Sequence, residues 1–449
     1  MYLGFWRLAP RKPAPLQGVG EKCASEVSKS GLAQSADRLD ALVAQIEALK
    51  AEVAEMKKAQ SAQAVQPVQA AQAPAVSASD KKNTVKIGTN AEVTLYGRVM
   101  AQVENIKISD SATATQNLSK TRVGANNTNI GVKGELDVGG GSTAIFQMEQ
   151  RVSINGSDAS TRGFADRNSG VGFKGSWGQV MVGRWNTPYK DQTIKVDPFN
   201  ETTLAANTFV MGQVSQLGGD GIFHPRQSNS IQYWTPKVNG FSGRAYFTTN
   251  TGKTTTTNPY NMSLTLDYDL GPLFAFAGYE THKDSGALTT NATGRDKGVH
   301  VGGGYRFGNT TLSAIWEKLS FHSDQLGATT ASDMSRNAWF LGAGHKFDNK
   351  FTLRGGYGIA GNQSGVNAMT GGNANTGAKG LYAMLGYALN GHKEADKTEI
   401  FTQYVRLNNQ SNASYLLTNN DNNNGLTTTK AGSEGSKYNA LTVGVMTYF

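Results

Sequence analysis

From residue 92 to the C-terminus the chain repeats one pattern: runs of about ten residues in which apolar and polar side chains alternate. In VTLYGRVMAQVE, Val93, Leu95, Gly97, Val99, Ala101 and Val103 share one face, and Thr94, Tyr96, Arg98, Met100, Gln102 and Glu104 share the other. NMSLTLDYDL sets Met262, Leu264, Leu266, Tyr268 and Leu270 against Ser263, Thr265, Asp267 and Asp269. The series Val299, Val301, Gly303, Tyr305 and Phe307 opposes His300, Gly302, Gly304 and Arg306, and Leu381, Ala383, Leu385, Tyr387 and Leu389 continue the theme. A period of two does not suit a helix; it predicts strands with one apolar and one polar face.

Sixteen such segments are centred near residues 99, 132, 148, 172, 181, 232, 245, 265, 277, 302, 316, 342, 356, 384, 403 and 443. Their spacers alternate in length. Val138–Gly141, Asn239–Gly240, Gly271–Pro272 and Phe347–Lys350 read as tight turns. Stretches 107–125, 188–225, 322–336, 360–378 and 408–436 read as long polar loops. An even strand count, short turns at one end and long loops at the other predict an all-β fold, a 16-stranded antiparallel transmembrane β-barrel. Sandwich strands run shorter, at about five or six residues. The ~40–50-residue repeat of a propeller is missing. No stretch approaches the ~20 apolar residues of a membrane-spanning helix.

Composition agrees with this and closes other routes. The 449 residues include 53 glycines, and charged residues are 17%, below the ~25% of ordinary soluble domains. The formal charge of +9 is spread thinly: 32 of 43 basic and 26 of 34 acidic side chains lie beyond residue 82, with no Lys/Arg run to track phosphates. No nucleic-acid partner is expected. The single Cys23 permits neither a disulfide framework nor a multi-cysteine metal site. His224, His282, His300, His322, His345 and His392 show no metal-ligand spacing, so no metal or cofactor is expected, and no catalytic constellation is visible. Gly170-Val-Gly172-Phe-Lys-Gly175 spells a dinucleotide fingerprint, yet alternation runs through it, so it reads as strand. Gly252-Lys253-Thr254 lacks the earlier glycine of a phosphate loop. The chain is not read as an enzyme.

Upstream of the strands the character changes. Residues 1–31 form a leader of unclear nature, because the apolar stretch from Tyr2 to Leu8 is short and broken by Arg7. Residues 32–60 carry heptads, with Leu39, Ile46 and Val53 at a and Leu42, Leu49 and Met56 at d, which predicts a coiled coil. Residues 61–82 are Ala/Gln/Pro/Val-rich, and the stretch 61–91 reads as a linker to a barrel at 92–449. With an even strand number both ends of the barrel's chain lie on the periplasmic side, so the coiled coil is expected there, with peptidoglycan as its expected partner.

Several motifs, taken together and in order, resemble a known family. They are LYGR at 95–98, NIGVKGELDVGGG at 129–141, GVGFKGSWGQVMVGRWNTPY at 170–189, PRQSNSIQYW at 225–234 and the closing VGVMTYF. They resemble the general-diffusion porins of the Gram-negative outer membrane, most closely the neisserial and β-proteobacterial branch. The resemblance implies a homotrimer of 16-stranded barrels in outer-membrane lipid and lipopolysaccharide. It implies passive diffusion of small hydrophilic solutes and ions through a water-filled channel. A solute-specific channel, or an envelope anchor acting through the coiled coil, stands as the alternative.

The family's third loop enters the lumen and sets acidic side chains against a basic wall. On that pattern Arg98 follows LYG, Arg184 closes the GR pair before the third loop, and Arg226 opens the strand after it. Strict alternation from Val180 would turn Arg184 outward, so its match requires a bulge or a strand end. Asn129 stands where the family often has a further arginine. Lys133 and Arg151 are inward by parity. The third-loop candidate is 188–225, with Asp197 and Glu201 as its acidic pair. The resemblance also makes the terminal Phe449 the residue read by the barrel-assembly machinery.

Overall fold

The computed structural model describes residues 83–449 except 126, 157–162, 200–203, 205, 214–222, 250, 286–292, 323–332, 366–372, 391–396 and 418–432, together with Ala44, Ala48, Ala51 and Val76–Ala78. The chain divides into two units, Met1–Ala73 and Pro74–Phe449. In the first, Ala44, Ala48 and Ala51 are helical. The expected seam residues Leu39, Leu42, Ile46, Leu49, Val53 and Met56 lie outside the described residues.

The second unit is built of antiparallel strands. Two short ones, β1 (Val76–Ala78) and β2 (Thr84–Ile87), precede the long β3 (Ala91–Ser109). A short β4 (Leu118–Gly124) follows, then β5 (Asn129–Gly139), β6 (Ser142–Arg151), β7 (Ser169–Gly175) and β8 (Gly178–Asn186). A helix, α1 (Pro188–Lys195), opens the connection to β9 (Arg226–Trp234). The remaining strands are β10 (Phe241–Thr248), β11 (Tyr260–Leu270), β12 (Leu273–Lys283), β13 (Arg295–Phe307) and β14 (Thr310–Phe321). They continue with β15 (Met334–Lys346), β16 (Phe351–Ala360), β17 (Ala378–Ala388), β18 (Thr398–Asn409) and β19 (Lys437–Tyr448). Each strand from β5 to β19 pairs with the next, and β19 returns to β3 through Arg98↔Tyr448 to Ser109↔Lys437. The other edge of β3 pairs with β5 along Ala91–Arg98, so the sheet closes into a barrel of sixteen wall strands, β3 and β5–β19. All sixteen predicted segments are wall strands.

Closure is what lipid demands, since an open edge would leave unpaired amides in hydrocarbon. The alternation fixes which face meets lipid. Val99 and Val103 are 38% and 54% exposed, while their neighbours Met100, Gln102 and Glu104 are at most 2% exposed. Leu264 and Leu266 likewise face out, and Ser263, Thr265 and Asp267 face in. The turns obey their residues: Asn239 and Gly240 both take positive φ, 49° and 87°, as a tight hairpin between right-twisted strands requires. The dinucleotide-like segment lies within strand β7, as alternation had predicted.

Two elements were not legible. The stretch 107–125, expected as a loop, holds the end of β3 and all of β4, which pairs with Gln102–Ile108. Within the expected linker, β2 pairs with Ala91–Thr94. It occupies the same edge of β3 as β19 and continues that edge beyond the C-terminus, where Gly97 and Phe449 exchange backbone hydrogen bonds of 3.0 and 3.1 Å.

Candidate functional site: a loop seated in the barrel and the wall opposite

The connection between β8 and β9 does not project outward. Thr187 caps α1 by accepting from Lys190 N, and Pro188 supplies the fixed φ of a first helical residue. The helix then binds inward-facing wall groups. Ser263 Oγ accepts from Tyr189 N (3.2 Å), Leu266 O accepts from Gln192 Nε2 (3.1 Å), and Gln192 Oε1 contacts His300 Nε2 at 2.8 Å. Lys195 forms an ion pair with Asp267. Beyond the helix, Ser313 Oγ donates to Val196 O (2.9 Å), and Phe199 and Phe209 approach the Tyr382 ring at 5.9 and 6.2 Å.

The wall under this loop is shaped for it. A Cβ at Gly356 would lie 2.7 Å from Phe199, and one at Gly358 would lie 2.5 Å from Val210. Glycine here lets loop and wall approach closely. Deeper in the seat, Glu317 and Arg336, both 0% exposed, form an ion pair at 2.9 Å. Glu317 also accepts from Tyr189 Oη (3.0 Å) and Gly212 N (2.8 Å), while Arg336 donates to Gln213 O. Breaking such a pair leaves an unpaired buried charge, so the network pins both ends of the loop to β14 and β15.

Histidines that are scattered in sequence gather behind the loop. Tyr189 lies 3.9 Å from the His300 ring and 6.3 Å from that of His224, and Phe223 stacks on His282 at 4.4 Å. Burial pushes His224 well below the usual histidine range, with Lys190, His300 and Arg336 adding to the effect. Burial, reinforced by Glu317, raises the Tyr189 phenol well above its ordinary value. Among the described residues no group of three or more His, Cys, Asp or Glu has the geometry of a metal site.

The opposite wall carries most of the basic residues expected from the sequence. Arg98 and Arg151 flank Asn129 in one cross-strand row, and Arg98 Nε donates to Asn127 O at 3.1 Å. Lys133 is exposed and lies 5.4 Å from the centre of the Tyr96 ring. The connection between β6 and β7 ties the others together: Asp166 Oδ1 accepts from Arg151 N (2.9 Å), Asp166 O from Arg184 Nε (2.8 Å), and Asn168 Oδ1 from Arg226 Nε (2.7 Å). Arg184 does sit at a register shift, between Gly183 and Trp185, and also donates to Ser228 Oγ. The sequence reading missed Arg167, paired with Glu149, and Arg122, paired with Glu104 at 2.6 Å. It also missed Arg244, whose Nη1 lies 2.6 Å from Asp191 of α1.

Asp197 lies in the loop, where its carboxylate accepts from Phe199 N (2.9 Å) and Asn207 N (3.4 Å). It lines a cavity of about 760 Å³ shared with Lys195, His345, Lys346, Arg354 and Lys397. Arg98, Arg184 and Arg226 do not line it. Glu399, fully buried, takes up Arg354 (2.8 Å) and Lys397 (2.7 Å) beneath that cavity. Glu201 lies outside the described residues. Inward polarity on β15, β16 and β18 was visible as alternation, but no local signal told which inward residues would surround Asp197.

Comparison with known proteins now decides the family. The Gram-negative porin family matches residues 62–412. The chain belongs to that family. Outer membrane porin protein 32 of Delftia acidovorans is 30% identical over 259 residues, which are 56% of this chain and 70% of that protein. Major outer membrane protein P.IB of Neisseria sicca is 30% identical over 163 residues, 36% of this chain and 43% of the relative. The match thus spans less than half the length of the neisserial relative. Among solved structures, an anion-selective porin from Comamonas acidovorans superposes with a TM-score of 0.63 at 23% identity, covering 80% of this chain and all of that one. OmpF of Salmonella typhi, solved with daunomycin, gives 0.52 at 18% identity over 80% of this chain and 98% of its own. These likenesses establish the porin barrel. With the apolar outer belt they place this porin in the outer membrane.

Proposed function

We propose that this porin forms a water-filled channel for passive diffusion of small hydrophilic solutes and ions, narrowed by its third loop. The observation that carries the reading is the seat itself. A segment of the chain enters the barrel and is pinned to one side of the wall by Glu317, Arg336 and Tyr189, while the far side keeps a row of guanidinium groups. A fixed loop opposite a charged wall narrows the path and sets a transverse field, which orients polar solutes and penalises apolar ones. Arg98, Lys133, Arg151, Arg184 and Arg226 supply the basic side, and Asp197 with Glu201 the acidic one. The surplus of basic groups gives a weak anion preference.

Three copies assemble into the working unit in this reading, as the resemblance to trimeric porins implies. The coiled coil hangs into the periplasm beneath them, and Phe449 serves as the signal for barrel assembly. Single-channel recording in a planar bilayer under a KCl gradient tests the proposal. Three equal ohmic steps with a slight anion preference are expected. Saturation by one solute class would replace it with a solute-specific channel, and absence of conductance from folded barrels would overturn it.

A further inference from the structure

The strand that closes the barrel is unequal to the strand it closes on. β3 pairs with β5 down to Ala91, but its partner on the other edge, β19, ends at Tyr448 opposite Arg98. Below that point the edge of β3 is taken by β2, in the register Thr84↔Thr94, Val85↔Val93, Lys86↔Glu92 and Ile87↔Ala91. Leu95 N donates to Asn83 O at 3.0 Å, and at the next hydrogen-bonding position Gly97 and Phe449 exchange bonds of 3.0 and 3.1 Å. Asn83 and Phe449 thus hold consecutive places on one edge. β2 also obeys the code of the wall: Val85 and Ile87 are each 41% exposed on the outward face, and Thr84 Oγ1 lies 2.8 Å from Thr94 Oγ1 on the other.

Alternation alone does not fix how β19 meets β3. Sliding β19 two residues toward the start of β3 keeps every side chain on its own face. It would set Val99, Ala101 and Val103 against Val445, Val443 and Leu441, in place of Thr447, Val445 and Val443. The slipped pairing is as apolar as the observed one. Each residue of β19 would still find a partner, because β3 runs on to Ala91. The slip would nevertheless change the lumen, since strand tilt, stagger and barrel size are linked when the strand number is fixed. What stands in its way is β2.

We infer that β2 is a register stop: it occupies the edge of β3 up to Leu95 and lets the closing strand travel only as far as Gly97. The β2–β3 hairpin is local, turning through Gly88 at a φ of 67°, and hairpins form in about 1–10 μs. Closure instead joins opposite ends of the barrel's chain, so the stop is in place before β19 arrives. Gly97 is the landing place. A Cβ there would lie 2.5 Å from Phe449 Cζ and 2.7 Å from Asn129 O, so glycine admits the Phe449 ring. A slide the other way would set Phe449 opposite the branched Val99 instead. The stop thereby fixes the stagger of the barrel, and with it the width of the lumen, through a segment that lies outside the sixteen wall strands.

The test reads the register with paired cysteines in the full chain, with Cys23→Ser removing the native thiol. Val103→Cys with Val443→Cys reports the observed register. Ala101→Cys with Val443→Cys reports the slipped one. In the observed register those two positions are diagonal neighbours about 7–8 Å apart, beyond the ~7 Å reach of a disulfide. Oxidation with copper phenanthroline, then electrophoresis, gives the bridged fraction of each. With β2 intact only the first pair should bridge. Replacing Thr84–Ile87 by glycines, or Val85→Pro with Ile87→Pro, should raise bridging of the second pair at least about fivefold. Second-pair bridging that stays at the wild-type level in both variants would overturn the inference. So would slippage in Gly97→Ala with β2 intact, which would give the stop to Phe449 and Gly97 instead. If neither β2 variant yields a folded barrel, β2 is part of the wall that closure requires, and the stop is overturned as well. Conductance keeps the channel reading separate: a barrel bridged through positions 103 and 443 that does not conduct would sink that reading and leave the stop standing.

Discussion

The two halves of the barrel interior use polar residues in opposite ways. Under the third loop, from β10 to β16, the wall behaves like protein core: glycines at 356 and 358 admit loop side chains, and Glu317 and Arg336 are fully buried and paired. On the other side, from β3 to β9, Lys133 is exposed, Arg98, Arg184 and Arg226 bond to backbone oxygens and an amide side chain, and Arg122 and Arg167 pair with Glu104 and Glu149 of the wall. One half spends its polar groups on holding the third loop, and the other on tying wall arginines to the preceding loops and to wall carboxylates. The same alternating code therefore serves a loop seat in one place and a network of wall arginines in another, according to what packs against it.

That contrast can be broken most severely at its deepest point. Glu317→Ala leaves Arg336 buried without its carboxylate and should cost about 3–5 kcal/mol. The check is a lower melting temperature of the folded barrel together with noisy, enlarged channel openings; a quiet channel of unchanged size would show that the pair does not hold the loop. Gly358→Val drives a branched side chain into Val210 and should cost about 1–3 kcal/mol. Its signature is a changed single-channel conductance, whereas valine at Gly355, where a Cβ would meet nothing within 4 Å, should leave conductance alone.

Acid should loosen the seat. Held in place, His224 stays neutral well below the ordinary histidine value of 6.5, while a released loop would protonate it near that value. The seat is therefore at full strength above about pH 6.5 and weakens as pH falls below it. Among the described residues neither ring nitrogen of His224 has a hydrogen-bond partner, so His224→Phe should fold and flatten the pH dependence of channel noise. Lys190, His300 and Arg336 face the same ring, and a dependence that persists in His224→Phe would move the effect to His300. The smallest expected effect is on the wall from β3 to β9. Arg184→Ser with Arg226→Ser should move the anion/cation permeability ratio by about twofold or less at moderate salt, because both side chains are only half-buried and salt screens their field beyond about 10 Å. Reversal potential under a salt gradient reads it.

Much of this was legible before the fold was known. A period of two needs no partner to be recognised, because each residue's face follows from its neighbours along one strand. Arg98, Lys133 and Arg151 were set inward by parity alone, and the register then placed Arg98 and Arg151 beside Asn129. The third-loop span was visible as the long gap between two strands. By contrast, nothing in the sequence singled out Lys346, Arg354 and Lys397 as the residues that share a cavity with Asp197. Facing across a lumen depends on strand order, register and loop path together, and no local pattern carries that information.

The same division holds for the whole molecule. By itself, the sequence determined the number of wall strands, the face each turns to lipid and the end at which the long loops lie, because turn residues and hydrophobic alternation act over a few neighbours. Tertiary structure alone decided that Tyr189, Glu317 and Arg336 meet, that three distant histidines gather behind one loop, and that β2 continues the barrel seam beyond Phe449. Those contacts join residues far apart in the chain, and their energies arise only when closure of the sheet has excluded water from between them.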